Sequence, residues 1–205
     1  MELNVAGQNV SRETYDDLVQ FSDLVKKWTP KINLIAPSTI PEIWDRHIVD
    51  SAQLLQLAPK NFDCWVDIGS GGGFPGIIVA IYAKIEQPNA TVTLIESDQR
   101  KATFLRTASR ELGLNTKVIA ERIEQVSAIG ADIVSARALA TLSSLLPLAM
   151  MHLKTDGVCL FHKGKGALAE VTEARKTWQF DLEERASFTD PDARLLAIQR
   201  ISRAG

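Results

Sequence analysis

The stretch that most constrains the fold is a glycine-rich segment near the middle of the first half of the chain. Apolar residues in Cys64–Ile68 predict a buried strand, and four of the five residues at 69–73 are glycine. Pro75 stands where a helix should begin, and residues 77–82 are apolar enough for that helix to cover a sheet. A strand, a glycine turn and a helix N-terminus form the first unit of a nucleotide-binding α/β fold. A tight turn that binds no ligand would also use glycine, because glycine permits positive φ.

Two details indicate which ligand such a turn could hold. A dinucleotide-binding turn reads Gly-x-Gly-x-x-Gly, but the last position counted from Gly69 is Phe74, and Pro75 removes a backbone donor that a diphosphate needs. The next predicted strand ends in Glu96, about twenty residues on, where an acid binds ribose hydroxyls. A ribose acid without a phosphate cradle favours S-adenosylmethionine over NAD. The alternative is that Glu96 is only a surface acid at a strand end.

Length and composition fit one soluble α/β domain. The chain has 205 residues, 45% hydrophobic and 23% charged. No apolar run approaches the ~18 residues of a membrane span, and the N-terminus lacks the features of a secretion signal. Cys64 and Cys159 fall in predicted buried strands, as reduced thiols of a cytoplasmic protein would. We therefore expect a cytoplasmic monomer without membrane contact. A net charge of -2 argues against indiscriminate nucleic-acid binding but permits a local basic face.

The order of the predicted elements indicates the fold class. A helix from Ser11 to Trp28, ended by Pro30, and a second helix at about 39–58 form a helical N-terminal extension, residues 1–60. A core at 61–205 then alternates strands and helices and ends in a hairpin. After the first strand and its helix, the predicted strands are 91–95, 116–120, 132–136 and 158–161, the helices 98–112, 141–153 and 168–178, and the hairpin runs 181–188 and 194–201. This order predicts a single Rossmann-like α/β domain, with a mostly parallel sheet and an antiparallel C-terminal hairpin.

The ligand of an open parallel sheet binds beyond the carboxyl ends of its strands, so candidate residues can be collected from those ends. The glycine turn supplies Gly69, Ser70, Gly71 and Phe74, the second strand Glu96, and the loop after the third strand Ile123 and Glu124. We expect Ile123 and Glu124 to flank and hydrogen-bond an adenine, because their loop lies next to the ribose acid. Asp67 could orient the glycine loop, bind the methionine amine, or serve only as a structural hydrogen-bonding group.

Basic residues follow several of the same strands. Arg122, Arg137 and Lys163 should converge at one edge of the sheet, joined by Arg194 if the last hairpin folds alongside. Together they could hold the methionine carboxylate of the cofactor or the phosphates of a polynucleotide. Each of them alone would pass for a solvated surface charge.

Motifs of other chemistries are missing from the sequence. It contains no Gly-Lys-Ser/Thr of a P-loop and no Gly-x-Ser-x-Gly elbow of a hydrolase. The three histidines show no metal-ligand spacing with the cysteines, so no metal is expected. No Asn/Asp-Pro-Pro-aromatic tetrad of an amine methyltransferase is present, and neither cysteine has the Pro-Cys context of pyrimidine C5 methylation.

Several motifs together resemble one known family, the bacterial small-subunit rRNA guanine-N7 methyltransferases, also called glucose-inhibited division protein B. The core motifs are Asp-Ile-Gly-Ser-Gly-Gly-Gly-Phe-Pro-Gly at 67–76, Ser-Ala-Arg-Ala at 135–138 and Lys163-Gly164. The N-terminal signature is resembled by Trp28, Asn33-Leu34, Arg46-His47 and Asp50-Ser51. The resemblance therefore covers nearly the whole chain.

The resemblance implies a Rossmann-like enzyme that transfers a methyl group from S-adenosylmethionine to N7 of a guanine in 16S rRNA, free or within the small subunit or its precursor. By position it implies cofactor contacts at Gly69, Phe74, Ile123, Glu124 and Arg137. It also implies that Arg122, Lys163 and Arg194 serve the cofactor or the RNA. Guanine N7 has a free lone pair and no proton, so no general base is expected and Arg137 should act by positioning the cofactor. For His47 and Asp50 the default expectation is an interhelix hydrogen bond.

Two other functions remain open at this point: a small-molecule methyltransferase and a non-catalytic module that only senses S-adenosylmethionine. A small-molecule enzyme should have a lidded apolar pocket. An RNA enzyme should leave the strand-end face open and basic, and a sensor would bind the cofactor without turnover.

Overall fold

The computed structural model describes residues 3–204, and its first long element is the expected helix. Helix α1, Arg12–Ile32, begins after Ser11, whose hydroxyl accepts a hydrogen bond of 3.0 Å from the backbone N–H of Thr14. This contact confirms the predicted N-cap. The prediction that Pro30 ends the helix is wrong: the helix runs to Ile32 and ends at Asn33, which has a left-handed φ of 51°. A proline in the last turn disturbs few backbone bonds, because the helix has almost no further turns to lose.

A short hairpin that was not predicted precedes α1. Strands β1, Leu3–Val5, and β2, Gln8–Val10, pair antiparallel. Ala6 and Gly7 form the turn with φ of 54° and 76°. A two-residue turn with glycine second is a hairpin signal, but three-residue strands are too short to be predicted from alternation.

The second predicted helix is broken into four short pieces. They are a 3-10 helix at Pro37–Glu42, a π-helix at Trp44–Val49, a single α-turn, α2, at Asp50–Ala52, and a 3-10 helix at Gln53–Gln56. The segment is helical without a gap at 37–56, as predicted, but it is not a regular α-helix; within its π-helical part the guanidinium of Arg137 donates to the backbone carbonyl of Arg46 at 2.9 Å. A side chain that enters the hydrogen-bond ladder in this way favours a π-bulge.

The core is a seven-stranded sheet with strand order β5-β4-β3-β6-β7-β9-β8. Strands β3 to β7 are parallel, and β9 pairs antiparallel with both β7 and β8. This arrangement confirms the predicted fold class. The strands are β3 Cys64–Ile68, β4 Thr91–Ile95, β5 Thr116–Ile119, β6 Ala131–Arg137, β7 Leu153–Lys163, β8 Trp178–Ala186 and β9 Arg194–Arg203. The helices between them are α3 Gly76–Glu86, α4 Gln99–Glu111, α5 Leu142–Met150 and α6 Ala167–Ala174, with a 3-10 helix at Ile123–Gln125.

Two boundaries differ from the prediction because strand pairing outcompetes helical pattern. Leu153 was expected to end α5 but begins β7, where it pairs with Ala131. Trp178 was expected in α6 but begins β8, where it pairs with Arg203. The Arg203 guanidinium also lies 4.0 Å from the centre of the Trp178 ring, a cation–π contact.

The sheet is covered on both faces. Helices α1, α3 and α4 cover one face, with Phe21 and Phe104 among the largest buried side chains. Helices α5 and α6 cover the other, where Phe161 is fully buried. The strand order reverses between β3 and β6, and a ligand crevice is expected at the carboxyl ends of these two strands. Within residues 3–204, no helix has the length and apolarity needed to cross a membrane.

Candidate active site

The glycine turn is fixed by backbone contacts to β4 and to the extension. The N–H groups of Gly69 and Ser70 both donate to the carbonyl of Ile95, at 2.9 and 3.0 Å. At Gly72 a Cβ atom would lie 2.9 Å from the backbone oxygen of Leu34, so only glycine lets the chain after α1 approach the turn this closely. The N-terminal extension is therefore part of the frame that shapes the turn.

The Glu96 carboxylate lies directly beside the turn. It is only 9% exposed, and its two oxygens accept hydrogen bonds from the N–H groups of Gly71, at 2.8 Å, and Asp98, at 2.7 Å. The acid therefore has a fixed orientation at the strand end where the sequence predicts it. Ribose binding by Glu96 stays a prediction.

Asp67 lies beneath the turn in a chain of buried hydrogen bonds. Trp65 Nε1 donates to Ser135 Oγ at 2.8 Å, Ser135 Oγ donates to Asp67 Oδ1 at 2.7 Å, and Gly76 N donates to Asp67 Oδ2 at 3.3 Å. Burial raises the pKa of Asp67 to about 7, although these hydrogen bonds oppose the rise. Of the roles open for Asp67, the contacts show the first: it orients the end of the glycine loop and the start of α3.

The ring of Phe74 fastens the turn to the N-terminal extension. It is 7% exposed, and its centre lies 5.3 Å from that of Phe21 and 5.1 Å from that of His47. The Arg137 guanidinium lies 5.9 Å from the same ring. The glycine turn thus contacts His47 of the extension and Arg137, the predicted site residue on β6.

Arg137, at the end of β6, contacts the extension through both terminal nitrogens of its guanidinium. Nη2 donates to the Arg46 carbonyl at 2.9 Å and lies 3.0 Å from His47 Nδ1, and Nη1 donates to Ser51 Oγ at 3.3 Å. The Asp50 carboxylate is 3.6 Å away. The Arg46-His47 and Asp50-Ser51 pairs of the N-terminal signature therefore surround Arg137, and the expected contact between two helices is replaced by contacts to this strand end.

His47 is held as a neutral acceptor. Arg137 can only donate, so Nδ1 of His47 accepts and Nε2 carries the proton, which points to Thr39 Oγ1 at 2.9 Å. Thr39 Oγ1 in turn donates to the Ala36 carbonyl at 2.8 Å. Burial and then the charge of Arg137 lower the pKa of His47 to about 4. At neutral pH the ring positions Arg137 and carries no charge.

Asp50 joins the extension to the loop between β8 and β9. Its Oδ1 accepts from Gln53, Ser187 and Thr189. The Nε2 atom of His162 also lies 3.0 Å from Oδ1. Burial by itself would raise the pKa of Asp50; the contacts with His162, Arg137 and Thr189 outweigh it and lower the pKa to about 2.

An open cleft of about 490 Å³ lies between these elements, at the carboxyl ends of β6 and β7. The lining of the cleft includes both positively and negatively charged side chains. The cations are Arg46, Arg137 and Lys163, and the acids are Glu42, Asp45, Asp50 and Asp190. The face is therefore open, as expected for an RNA enzyme, but it is mixed in charge rather than uniformly basic.

The other predicted basic residues lie at the same edge of the sheet with different surroundings. Lys163 is 7% exposed, donates to the Ala140 carbonyl and pairs with Glu170 at 2.7 Å. Arg194, opposite Lys163 in the β7–β9 pairing, donates to the carbonyls of the loop before it. Arg122 is exposed at the end of β5, three strands away from Arg137 in the sheet order. The topology brings all four to one edge, but Lys163 is engaged with the protein itself.

Two residues of the site were not predicted from the sequence. His152 Nε2 lies 3.3 Å from the carbonyl of Ile123 and so supports the 3-10 helix that carries Ile123, which is buried, and Glu124, which is exposed. Leu139 lies on the turn, with its Cδ1 2.6 Å from where a Cβ of Gly69 would be. His152 follows a helix and gives no local signal. Leu139 could have been found, because it directly follows the Ser-Ala-Arg-Ala motif.

Comparison with known proteins identifies the family. The sequence profile of rRNA small subunit methyltransferase G matches residues 14–195. The chain belongs to the rRNA small subunit methyltransferase G family. It is 49% identical over 203 residues to the Cereibacter sphaeroides protein "Ribosomal RNA small subunit methyltransferase G", covering 98% of both chains.

Solved structures agree on the fold. The ribosomal protein L11 methylase of Lactobacillus delbrueckii subsp. bulgaricus superposes with a TM-score of 0.55 at 23% identity, covering 76% of this chain and 79% of that one. M. jannaschii TYW2, solved in complex with AdoMet, gives 0.54 at 17% identity, covering 83% and 78%. The expected family, class I methyltransferase fold, enzyme class and S-adenosylmethionine dependence are thus confirmed.

Proposed function

We propose that this protein transfers the methyl group of S-adenosylmethionine to N7 of one guanine in 16S rRNA, as a cytoplasmic monomer. The observation that carries the proposal is the position of Arg137. It lies over the ring of Phe74 from the glycine turn, at the strand-order switch, and lines an open cleft large enough for a base. Family membership supports small-subunit rRNA as the substrate.

The residues around the turn suit S-adenosylmethionine. Glu96, which accepts from the N–H of Gly71, would bind the ribose hydroxyls, and Gly69, Ser70 and Gly71 would contact the cofactor through the backbone of the turn. Ile123 and Glu124 follow the neighbouring strand β5 and would flank the adenine. When bound, the cofactor supplies an electrophilic methyl group on a sulfonium. Arg137, held from three sides, would fix the methionine carboxylate and thereby the direction of that methyl.

The ribose assignment can be tested directly. Replacing Glu96 by Ala removes a charge-assisted contact, typically worth about 1.5–3 kcal/mol, so affinity for S-adenosylmethionine should fall roughly ten- to a hundredfold. Glu124→Ala would serve as a comparison for an exposed acid on the adenine side. Calorimetry that finds unchanged affinity for the Glu96 variant, with its melting temperature intact, would remove Glu96 from the cofactor site.

The chemistry at guanine N7 requires no proton transfer at the attacking atom. The histidine nearest Arg137, His47, is half-buried and neutral, and both of its ring nitrogens are engaged, so it orients Arg137 instead of accepting a substrate proton. The cleft is open, which favours a polynucleotide over a small apolar substrate enclosed under a lid. Arg194, beside the cleft, and Arg122, three strands away from Arg137, would contact phosphates of the RNA. Lys163 is paired with Glu170 and donates to the Ala140 carbonyl. It would therefore stabilise the wall of the cleft between cofactor and RNA.

The experiment is methylation of purified 16S rRNA and of isolated small subunits with labelled S-adenosylmethionine. The product is mapped by chain cleavage at 7-methylguanosine and by mass spectrometry of nucleosides. The expected result is one labelled 7-methylguanosine per 16S rRNA. Label at an exocyclic amine, at a ribose hydroxyl or only in small molecules would refute the proposal.

A further inference from the structure

Helix α4 carries a run of cations without an intervening acid. Arg100, Lys101, Arg106 and Arg110 lie on it, and its first acidic residue is Glu111 at the end. The whole chain has 23 basic and 25 acidic residues, so such a run differs from the average of the sequence. A local surplus of positive charge on an acidic protein concentrates its field on one side.

Three of the four cations of α4 have no acidic partner among the described residues. Lys101, Arg106 and Arg110 form no ion pair with any residue in 3–204, and Arg100 only approaches Asp98 at 3.6 Å. The ion pairs elsewhere include Arg12–Asp16, Lys26–Asp23, Lys84–Asp17, Lys154–Asp132, Lys176–Glu173 and Arg185–Glu183. The charges of Arg106 and Arg110, both exposed on α4, are therefore not neutralised by a neighbouring acid within residues 3–204.

Arg106 and Arg110 lie along one edge of the molecule. Strand β5 is the outermost strand of the sheet on that side, and α4 lies against it: Gln99 Nε2 donates to the Ala120 carbonyl at 3.0 Å, and Arg106 Nη2 donates to the Val118 carbonyl at 3.4 Å. Positions 99, 103, 106 and 110 follow helical spacing, so Arg110 continues this face. Lys117 of β5 is exposed at the same edge.

This edge begins at the ligand site and runs away from it. Helix α4 starts at Gln99, shortly after Glu96, and Arg110 lies about 15 Å farther along the helix axis. An RNA that places its target base in the cleft could therefore continue along α4. Such a contact would hold nucleotides other than the one that is methylated.

We propose that Arg106 and Arg110 of α4 with Lys117 of β5, which we call the basic edge, bind the phosphate backbone of the rRNA substrate outside the methylated nucleotide. Unpaired, exposed guanidinium and ammonium groups suit phosphates, which account for most contacts to nucleic-acid backbones. The substrate class rests on the proposed function. None of the large exposed apolar side chains found in residues 3–204 lies on α4 or β5, so the edge lacks the anchors of a protein or membrane interface.

The test uses a variant that removes two of these charges and a control that removes two elsewhere. Arg106→Gln with Arg110→Gln removes both charges and keeps a polar side chain of similar helix propensity. The control, Arg12→Gln with Lys176→Gln, removes the same charge from exposed, acid-paired positions on α1 and after α6. RNA affinity is measured over a range of salt concentrations. Two lost phosphate contacts should reduce the salt slope by about 1.4–1.8 in the first variant, and the slope should stay unchanged in the control.

Turnover gives a second readout. The basic-edge variant should raise KM for rRNA while kcat at saturating RNA and the affinity for S-adenosylmethionine remain at wild-type values. An unchanged salt slope, an equal change in the control, or a loss of cofactor affinity would each overturn the proposal. The single variant Arg110→Gln repeats the test without disturbing the hydrogen bond between Arg106 and the Val118 carbonyl, because the Arg110 side chain makes no hydrogen bond or ion pair within residues 3–204. A wild-type protein that binds rRNA through this edge but forms no 7-methylguanosine would refute the proposed function instead.

Discussion

Arg137 links three parts of the molecule through one side chain. Its guanidinium contacts the Arg46 carbonyl, His47 and Ser51 of the extension, and it lies over Phe74 of the glycine turn. A planar fork of donors can make these contacts at once, whereas an ammonium group cannot. The residue that the motif singles out is therefore held in a fixed orientation before any ligand binds.

We predict that Arg137→Ala loses most of the methyl-transfer step and that Arg137→Lys does not restore it, because catalysis here depends on alignment. Replacing Cys64, Cys159, His152 or His162 one at a time with a residue of similar size should leave that step nearly intact. Single-turnover methylation from about pH 6 to 9 measures both effects, since a titrating base would give a slope. A steep rise through the histidine range that disappears in one histidine variant would contradict a mechanism without a general base.

Asp67 leads to a pH-dependent prediction. Its pKa is raised to about 7 in the protein, chiefly by burial, and a cation bound on the turn above it would lower that pKa again. Binding of S-adenosylmethionine should therefore release a proton, and affinity should rise by up to about tenfold from pH 6 to 8. Calorimetry in two buffers of different protonation enthalpy detects the release.

The raised pKa of Asp67 also makes the stability of the folded protein depend on pH. Because the folded-state pKa lies above the ordinary value of 3.8, the contribution of Asp67 to stability is present below about pH 4 and is lost as pH rises through 7. Asp67→Asn should flatten both pH dependences, at the cost of the contact with the Gly76 N–H. Proton release that persists in this variant would assign the titration to another group.

At the scale of elements, the junction between β3 and α3 depends on a missing side chain. At Gly76 a Cβ atom would lie 2.3 Å from Leu94 Cδ2 and 2.7 Å from Asp67 Oδ2. Gly76→Ala should therefore destabilise the protein by about 1–3 kcal/mol, the usual cost of overpacking. At Gly166, which caps α6, the nearest atom would be 3.8 Å away, so Gly166→Ala is the control. Urea unfolding measures both variants, and equal midpoints would show that α3 shifts without strain.

The sequence predicts the regular elements of this chain well where a local pattern decides them. Cys64–Ile68 and Thr91–Ile95 are strands with the predicted bounds, because short apolar runs next to turn residues have few alternatives. The segment at 39–58 does not form the regular α-helix that its pattern predicts. Its apolar positions do face inward, but Arg137, from a distant part of the chain, takes one of its carbonyls. A long-range contact of this kind leaves no trace in the local sequence.

The candidate site also has a part that the sequence predicts and a part that it does not. Its strand-end residues, among them Glu96 and Arg137, could be collected from topology alone, because parallel strands deliver their ends to one edge. The partners could not: His47 and Asp50 meet Arg137 from more than eighty residues away in the chain, and the pairing of Lys163 with Glu170 depends on where α6 lies. Topology fixes which residues share an edge, whereas side-chain pairing follows from packing.

At the scale of the whole molecule, buried polar contacts join the first sixty residues to the last hairpin. Gln53 is fully buried, and its Nε2 donates to Asp50, Ser187 and Thr189 at 3.1–3.3 Å, while its Oε1 accepts from the N–H of Phe188 at 3.0 Å. Arg137 adds a second junction between the extension and the sheet. We therefore propose that residues 1–205 behave as one domain, although its two parts have different architectures.

This proposal predicts a single cooperative unfolding transition. Tryptophan fluorescence reports on both parts, because Trp28 and Trp44 lie in the extension and Trp65 and Trp178 lie in the sheet. Its transition should coincide with that of far-ultraviolet circular dichroism. Gln53→Ala leaves buried hydrogen-bonding groups unpaired, so it should lower stability by about 1–3 kcal/mol and shift both transitions together. Gln179→Ala, at an exposed position of β8, is the matched control. An early fluorescence change that precedes the loss of secondary structure, in the wild type or in the Gln53 variant, would mean that the extension unfolds separately and that the chain is not one domain.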